Sequence, residues 1–355
     1  MKLFLLAFLY TPLAFAFFPH QNLLMDIEVN FYQQDKTISF YELQNTNDEV
    51  AKIAKYLEKN QEFGGEGFDP KVIYFWYLVY SKLSSNQVII HGRDDITKIH
   101  KILDFSHLKL KNEADFHLIY LWQIKATQNE IEKIQKNNPR SEHLRSQTGQ
   151  KNKFEKGIER AADYKIFLNT VVKMFDLPVE ILALSFLESN FDPKAQSRVG
   201  AGGLWQLMPS VAAHYLKNPE HRFSPTLSTL AAFHLIKENY AQLNDWGLSI
   251  LSYNSGAFYI KNLMKEHTGL SIHNIFDRLK DNDHFGFATK NFYLSFLAIN
   301  YYLSQNSFWP KVEDTISLHL NHCSNEIVVN NVDPQCTKKI NAELIRRKYP
   351  KNWNL

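Results

Sequence analysis

Apolar residues recur at helical spacing through the second half of this chain. Ile158, Ala161, Ala162, Ile166, Thr170 and Met174 follow three- and four-residue steps, as do Leu230, Phe233, His234 and Ile236, then Leu294, Leu297, Ala298 and Tyr301. One helical turn takes 3.6 residues, so each set falls on one face and predicts an amphipathic helix. Few strict alternations of apolar and polar residues appear, so the region from Phe154 to about Tyr302 reads as mostly α. Upstream, residues 17–125 mix short apolar segments with the turn pairs Gly64-Gly65 and Asp69-Pro70, and Val72 to Leu83 predicts a buried helix. From Lys125 to Lys153, Gln, Asn, Lys, Arg and Glu dominate, with Pro139 and Gly149 as breakers, which predicts a linker or a solvated helix. The segment after Pro310 is polar, with Ile327-Val328-Val329 as a candidate short strand. No internal repeat is evident. The fold class expected is mainly α.

The first residues have the pattern of an export signal. Met1-Lys2 is a short basic start, Leu3 to Leu13 is apolar, and Ala14-Phe15-Ala16 fits a small-x-small cleavage site. Residues 1–16 are therefore expected to be a signal peptide, with the mature chain beginning at Phe17. No Cys follows that site, so a lipid anchor is not supported. The apolar run falls short of the roughly 20 residues that span a bilayer, and so does Val72 to Val79. This predicts an exported protein of the periplasm or cell envelope with no stable membrane span after cleavage.

Composition narrows the function classes. With 355 residues and 45% apolar content, the chain can bury one large core or two smaller ones. A net charge of +3 is too near neutrality to argue for nucleic acid. The aromatic content of 14% suits flat sugar rings as well as helical cores. Cys323 and Cys336 are candidates for a disulfide or for two buried thiols. His322 beside Cys323 lacks a second Cys pair, so neither metal nor cofactor is expected.

Candidate chemistry centres on Glu188. Ile181, Leu184 and Leu187 form one apolar stripe of a helix beginning near Pro178, with Leu182 and Phe186 beside it, and Asn190, Asp192 and Pro193 end it. Glu188 thus falls at a buried helix C-terminus. The negative end of the helix dipole and desolvation both disfavour a carboxylate there, raising its pKa toward the range of glycosidase acids. A neutral carboxyl can protonate a glycosidic oxygen. Downstream runs Gly200-Ala201-Gly202-Gly203-Leu204-Trp205-Gln206-Leu207-Met208-Pro209. Its glycines permit close backbone approach. Gln206 offers donors and an acceptor for a sugar's N-acetyl or hydroxyl groups, and Trp205 and Met208 offer an apolar wall. Leu204 and Leu207 read as core.

The stretch ESNFDPKAQSRVGAGGLWQLMP resembles the active-site signature of lytic transglycosylases with the SLT, or goose-lysozyme-like, catalytic domain, and its GLWQ is similar to the membrane-bound lytic transglycosylase D branch. RSQTGQ at 145–150, Asp245-Trp246 with Leu251-Ser252-Tyr253-Asn254-Ser255-Gly256, and FGFATKNFYLSFLA at 285–298 resemble further blocks of that family in order. The resemblance implies a lysozyme-like α-helical domain at 145–310, after a mostly helical N-terminal region at 17–144 of unknown role and before a short tail at 311–355. It implies Glu188 as sole catalytic acid/base. Ser197, Gln206, Met208, Tyr253 and Asn254 match substrate-binding positions. Phe292 stands where many relatives carry a groove tyrosine, and Tyr293 follows one position, about 100° round a helix, as a further candidate. Ser252 and Ser255 stand where alanine, or alanine or histidine, is common. The implied partner is a peptidoglycan glycan strand. The implied reaction is cleavage between N-acetylmuramic acid and N-acetylglucosamine, with a 1,6-anhydro product. Goose-type hydrolysis of the same bond, and a wall-binding module that does not cut, are the alternatives. Asp192 is the nearest second carboxylate, but an Asp before Pro more often forms a turn.

Overall fold

The computed structural model describes residues 36–37, 46–106, 115–137, 143–266, 272, 275–276 and 287–309. The expected signal peptide, the two cysteines and the tail lie outside the described residues. The described residues form two compact units, one built from Lys55–Phe68 and the described residues from Lys153 onward, the other from the described residues before Lys55 and from Asp69–Asn152. The first helix is α1 (Thr46–Lys59).

The unit containing Asp69–Asn152 holds an antiparallel sheet ordered β1-β3-β2-β4, with β1 at Lys36–Thr37, β2 at Gln87–Gly92, β3 at Ile99–Asp104 and β4 at Leu144–Thr148. Strand side chains alternate between faces. Val88 and Ile90 accordingly join Leu103 and Phe105 in a cluster with Ile131, against which Trp122, Ala126 and Ile134 of α3 (Asp115–Asn137) pack. His91, one step out of phase with Ile90, instead sets its ring 5.0 Å from Phe75 of α2 (Pro70–Ser81). Helix α2 starts two residues before the expected Val72, with the Asp69 carboxylate accepting from the Lys71 N–H and Pro70 in the first turn. The sheet was not expected. In particular, part of the polar stretch read as linker or solvated helix is strand β4, paired with β2 from Val88↔Thr148 to Gly92↔Leu144. LRSQT has almost no apolar alternation to announce a strand, and the backbone ladder holds it in place.

The other unit is helical among its described residues. Its elements are α4 (Lys151–Ala162), α5 (Lys165–Met174), α6 (Ala183–Ser189), α7 (Pro209–Tyr215), α8 (Pro225–Leu243), α9 (Trp246–Ser255), α10 (Ala257–Glu266) and α11 (Phe287–Gln305). The periodic set from Ile158 to Met174 is two helices, broken after Ala162. Ser224 caps α8 with Pro225 behind it, and the Asp245 carboxylate accepts from the Leu248 N–H at 2.7 Å to start α9. Helix α6 is short and preceded by a 3₁₀ turn at Val179–Leu182, with Pro178 ahead of that turn rather than inside a helix. Leu184, Phe186 and Leu187 of α6 are buried, and Phe186 meets Phe154 of α4 edge-on at 5.2 Å.

Candidate active site

Helix α6 ends one residue after Glu188, and two sets of hydrogen bonds fix that end. Asn190 and Phe191 turn the chain at positive φ, 50° and 59°. Arg160 of α4 donates from Nε to the Asn190 and Phe191 carbonyls at 3.1 and 3.2 Å and from Nη2 to the Asn190 carbonyl at 2.5 Å, satisfying acceptors that a helix C-terminus leaves open. Gly157 lets α4 approach, since a Cβ there would stand 3.0 Å from the Asn190 oxygen. Ser185 and Ser189 both donate to the Leu204 carbonyl, at 3.1 and 2.8 Å, tying the helix to the glycine-rich loop.

That loop folds as a small antiparallel cradle. Gly202 bridges both Gln196 and Leu207, and the Gly203 N–H donates to the Ala195 carbonyl at 2.9 Å. Gly203 has φ +77°, and a Cβ there would stand 2.0 Å from the Arg222 carbonyl oxygen, so no other residue fits. Gln206 is itself at positive φ, and its amide nitrogen donates to the Ala195 and Gly203 carbonyls at 3.1 and 3.0 Å. Its donors are used in holding the loop, which leaves the amide oxygen as the group available to a ligand. The Ser197 hydroxyl oxygen accepts from the Ala201 N–H at 2.9 Å, leaving its O–H as a donor.

The elements converge on a cleft of about 310 Å³. Glu188, Ser197, Gln206, Met208, Tyr253 and Asn254 all line it. Glu188 is half-buried, exposed through the cleft, and desolvation by the protein packed around it pushes its pKa up to about 8. Among the described lining residues it is the only carboxylic acid. Tyr253, in the last turn of α9, donates its hydroxyl proton to the Trp205 carbonyl at 2.6 Å. Desolvation first, then the neighbouring Glu188, push its pKa well above the usual tyrosine value, so it stays neutral.

Two sequence expectations are corrected here. Tyr293 does not join the cleft. It is fully buried, its hydroxyl donates to the Phe63 carbonyl, and its ring packs against Phe68, Phe276 and Phe296. Trp205 is no cleft wall either. Its ring is fully buried against Phe233, and Nε1 donates to the Thr229 hydroxyl at 2.9 Å, so only its carbonyl serves the site. Asp192 forms a turn, accepting from the Lys194 N–H at 2.9 Å. The sequence reading passed over Arg160, Ser185, Ser189 and Asn239. Asn239 lines the cleft and donates from α8 to the Ser249 carbonyl of α9 at 3.4 Å. The two serines four apart on an otherwise apolar helix were a signal that something polar lay across from them.

Known proteins share this region. Residues 172–276 match the family model described as Transglycosylase SLT domain. The chain is 35% identical over 102 residues to the membrane-bound lytic murein transglycosylase D of Escherichia coli strain K12, and equally to that of Escherichia coli O6:H1; each match covers 27% of this chain and 23% of the relative. The chain thus spans about a quarter of the length of the curated relatives it matches. A solved structure of an inactive mutant of the lytic transglycosylase Slt from Pseudomonas aeruginosa is similar at 20% identity and a TM-score of 0.35, covering 43% of this chain and 25% of that one. Every lining residue of the cleft falls between Leu187 and Ala257, inside the span 172–276 that the Transglycosylase SLT domain model matches.

Proposed function

We propose that this chain is a peptidoglycan lytic transglycosylase that cleaves the β-1,4 bond between N-acetylmuramic acid and N-acetylglucosamine and leaves 1,6-anhydro-N-acetylmuramic acid ends. The observation that carries the reading is a carboxyl group, Glu188, kept protonated near neutral pH in an open cleft that it shares with Tyr253 and Asn254. Glu188 gives its proton to the bridging oxygen, and the bond from that oxygen to the muramyl C1 breaks. The muramyl C6 hydroxyl then attacks C1, and its proton passes to the Glu188 carboxylate, restoring the acid. No water is consumed, and neither cofactor nor metal takes part.

Hydrolysis of a glycosidic bond generally uses two carboxyl groups. A single one among the described lining residues favours the intramolecular route. Tyr253 has committed its proton to the Trp205 carbonyl, so it turns oxygen lone pairs, not a donor, toward the positive charge that develops at C1. Asn254 and the substrate's own N-acetyl group share that task. Ser197 donates to the sugar, Gln206 accepts through its amide oxygen, and Met208 supplies an apolar wall. An enzyme of this substrate works in the periplasm or cell envelope.

Mass spectrometry of muropeptides released from purified sacculi tests the reading. Anhydro-muramyl ends are expected. Reducing ends alone would establish goose-type hydrolysis instead, and binding with no release would establish a wall-binding module.

A further inference from the structure

At about 310 Å³ the cleft is at the small end of ligand sites, and a polymer must continue across its rim. An unusual residue follows directly on two lining residues in the chain. Gly256 and Ala257 line the cleft, and Phe258, the next residue, in the first turn of α10, is 74% exposed. It is the most exposed of the large apolar side chains among the described residues. A phenylalanine left in water at the edge of a cleft forgoes burial that the same ring obtains elsewhere in this unit. A Cβ at Gly256 would meet nothing within 4 Å, so the backbone two residues before Phe258 is open on that side.

We infer that Phe258 is an aromatic platform on which a sugar of the bound glycan strand, outside the catalytic cleft, lays the apolar face of its ring. It follows directly on Gly256 and Ala257, which line the cleft, and an exposed flat apolar ring near a sugar groove matches a pyranose, whose faces carry C–H groups while its edges carry hydroxyls. The inference rests on the proposed reading of the cleft as a glycan site. Phe258 acts on how firmly the strand is held and touches no reacting atom.

Steady-state kinetics of the full chain on peptide-free glycan strands, with Phe258→Ala and Phe258→Trp beside the wild type and Glu188→Gln, test it. Phe258→Ala is expected to raise KM about fivefold, with the effect in KM rather than kcat, and Phe258→Trp is expected to retain the wild-type KM. Because the side chain is exposed, thermal melts should coincide for all three proteins. An unaltered KM in Phe258→Ala, or an equal rise in KM for both variants, overturns the platform. So does a loss of binding to anionic phospholipid vesicles in Phe258→Ala with KM unaltered, which assigns the ring to a membrane. If Glu188→Gln retains activity, the reading of the cleft itself fails. If Glu188→Gln is inactive and Phe258→Ala is normal, the platform alone fails.

Discussion

Each unit of this protein holds an ionisable side chain away from water, and the two outcomes differ. Glu188 in the helical unit is raised to about 8, and His91 in the sheet unit is lowered to about 4, both chiefly by desolvation. His91 is fully buried, with its Nδ1 2.8 Å from the Gly92 carbonyl and its ring edge-on to Phe75. Glu188 is half-buried and opens to a cleft. Both groups are neutral at pH 7, yet only one can meet a substrate. A displaced pKa therefore marks a reactive group only when a path for the reactant comes with it.

The sharpest way to break this contrast is substitution at both places. Glu188→Gln keeps shape and loses the proton, and release of muropeptides from sacculi should fall about 10³-fold or more. His91→Leu should leave release unchanged. Comparable losses in the two variants would put the functional weight outside the cleft.

Stability against pH gives the next largest effect, and its sign differs between the units. For Glu188 the folded protein binds more protons than the unfolded chain between its ordinary value of 4.5 and about 8. Wild-type stability therefore falls as pH rises through that window. Glu188→Gln removes this slope, so denaturant melts should find the variant more stable than wild type at pH 8, by a few kcal/mol, with no difference below about pH 4.5. The same ionisation should reduce kcat/KM as pH rises through 8. For His91 the unfolded chain binds more protons between about 4 and 6.5. Stability is lost as pH falls through that range, by ~3 kcal/mol, and His91→Leu should flatten the acid limb of the melts.

The smallest effect sharpens the boundary of the site. Tyr293→Phe removes the hydroxyl that serves the Phe63 carbonyl, at a cost of about 1–2 kcal/mol in stability. KM for glycan strands should not move, because the ring is fully buried outside the cleft. A shift in KM at unchanged stability would return Tyr293 to the substrate.

Much of the cleft was legible from local pattern. The apolar stripe ending at Glu188 and the glycine-rich run before Gln206 are short-range features, the family resemblance supplies the Tyr253-Asn254 pair, and Glu188, Gln206, Tyr253 and Asn254 line one cleft. Positions that depend on what lies across from them were read wrongly. Trp205 and Tyr293 are aromatic in either environment, and neither composition nor spacing says whether such a ring faces a sugar or a core. The roles within Gln206 were hidden for the same reason, since two loop carbonyls 11 and 3 residues away claim its nitrogen. The sheet was hidden because β4 is polar and owes its state to pairing with a strand more than fifty residues earlier.

The sequence by itself determined the helical periods, the glycine cradle and a carboxyl at the end of an apolar helix, because these follow from steric and burial preferences within one or two turns of chain. Tertiary structure alone decided that Glu188 opens to a cleft while His91 does not, that Tyr253 gives its proton to a backbone carbonyl, and that Tyr293 belongs to the core. Desolvation and hydrogen-bond commitment depend on atoms packed from distant segments, and no local pattern carries that information.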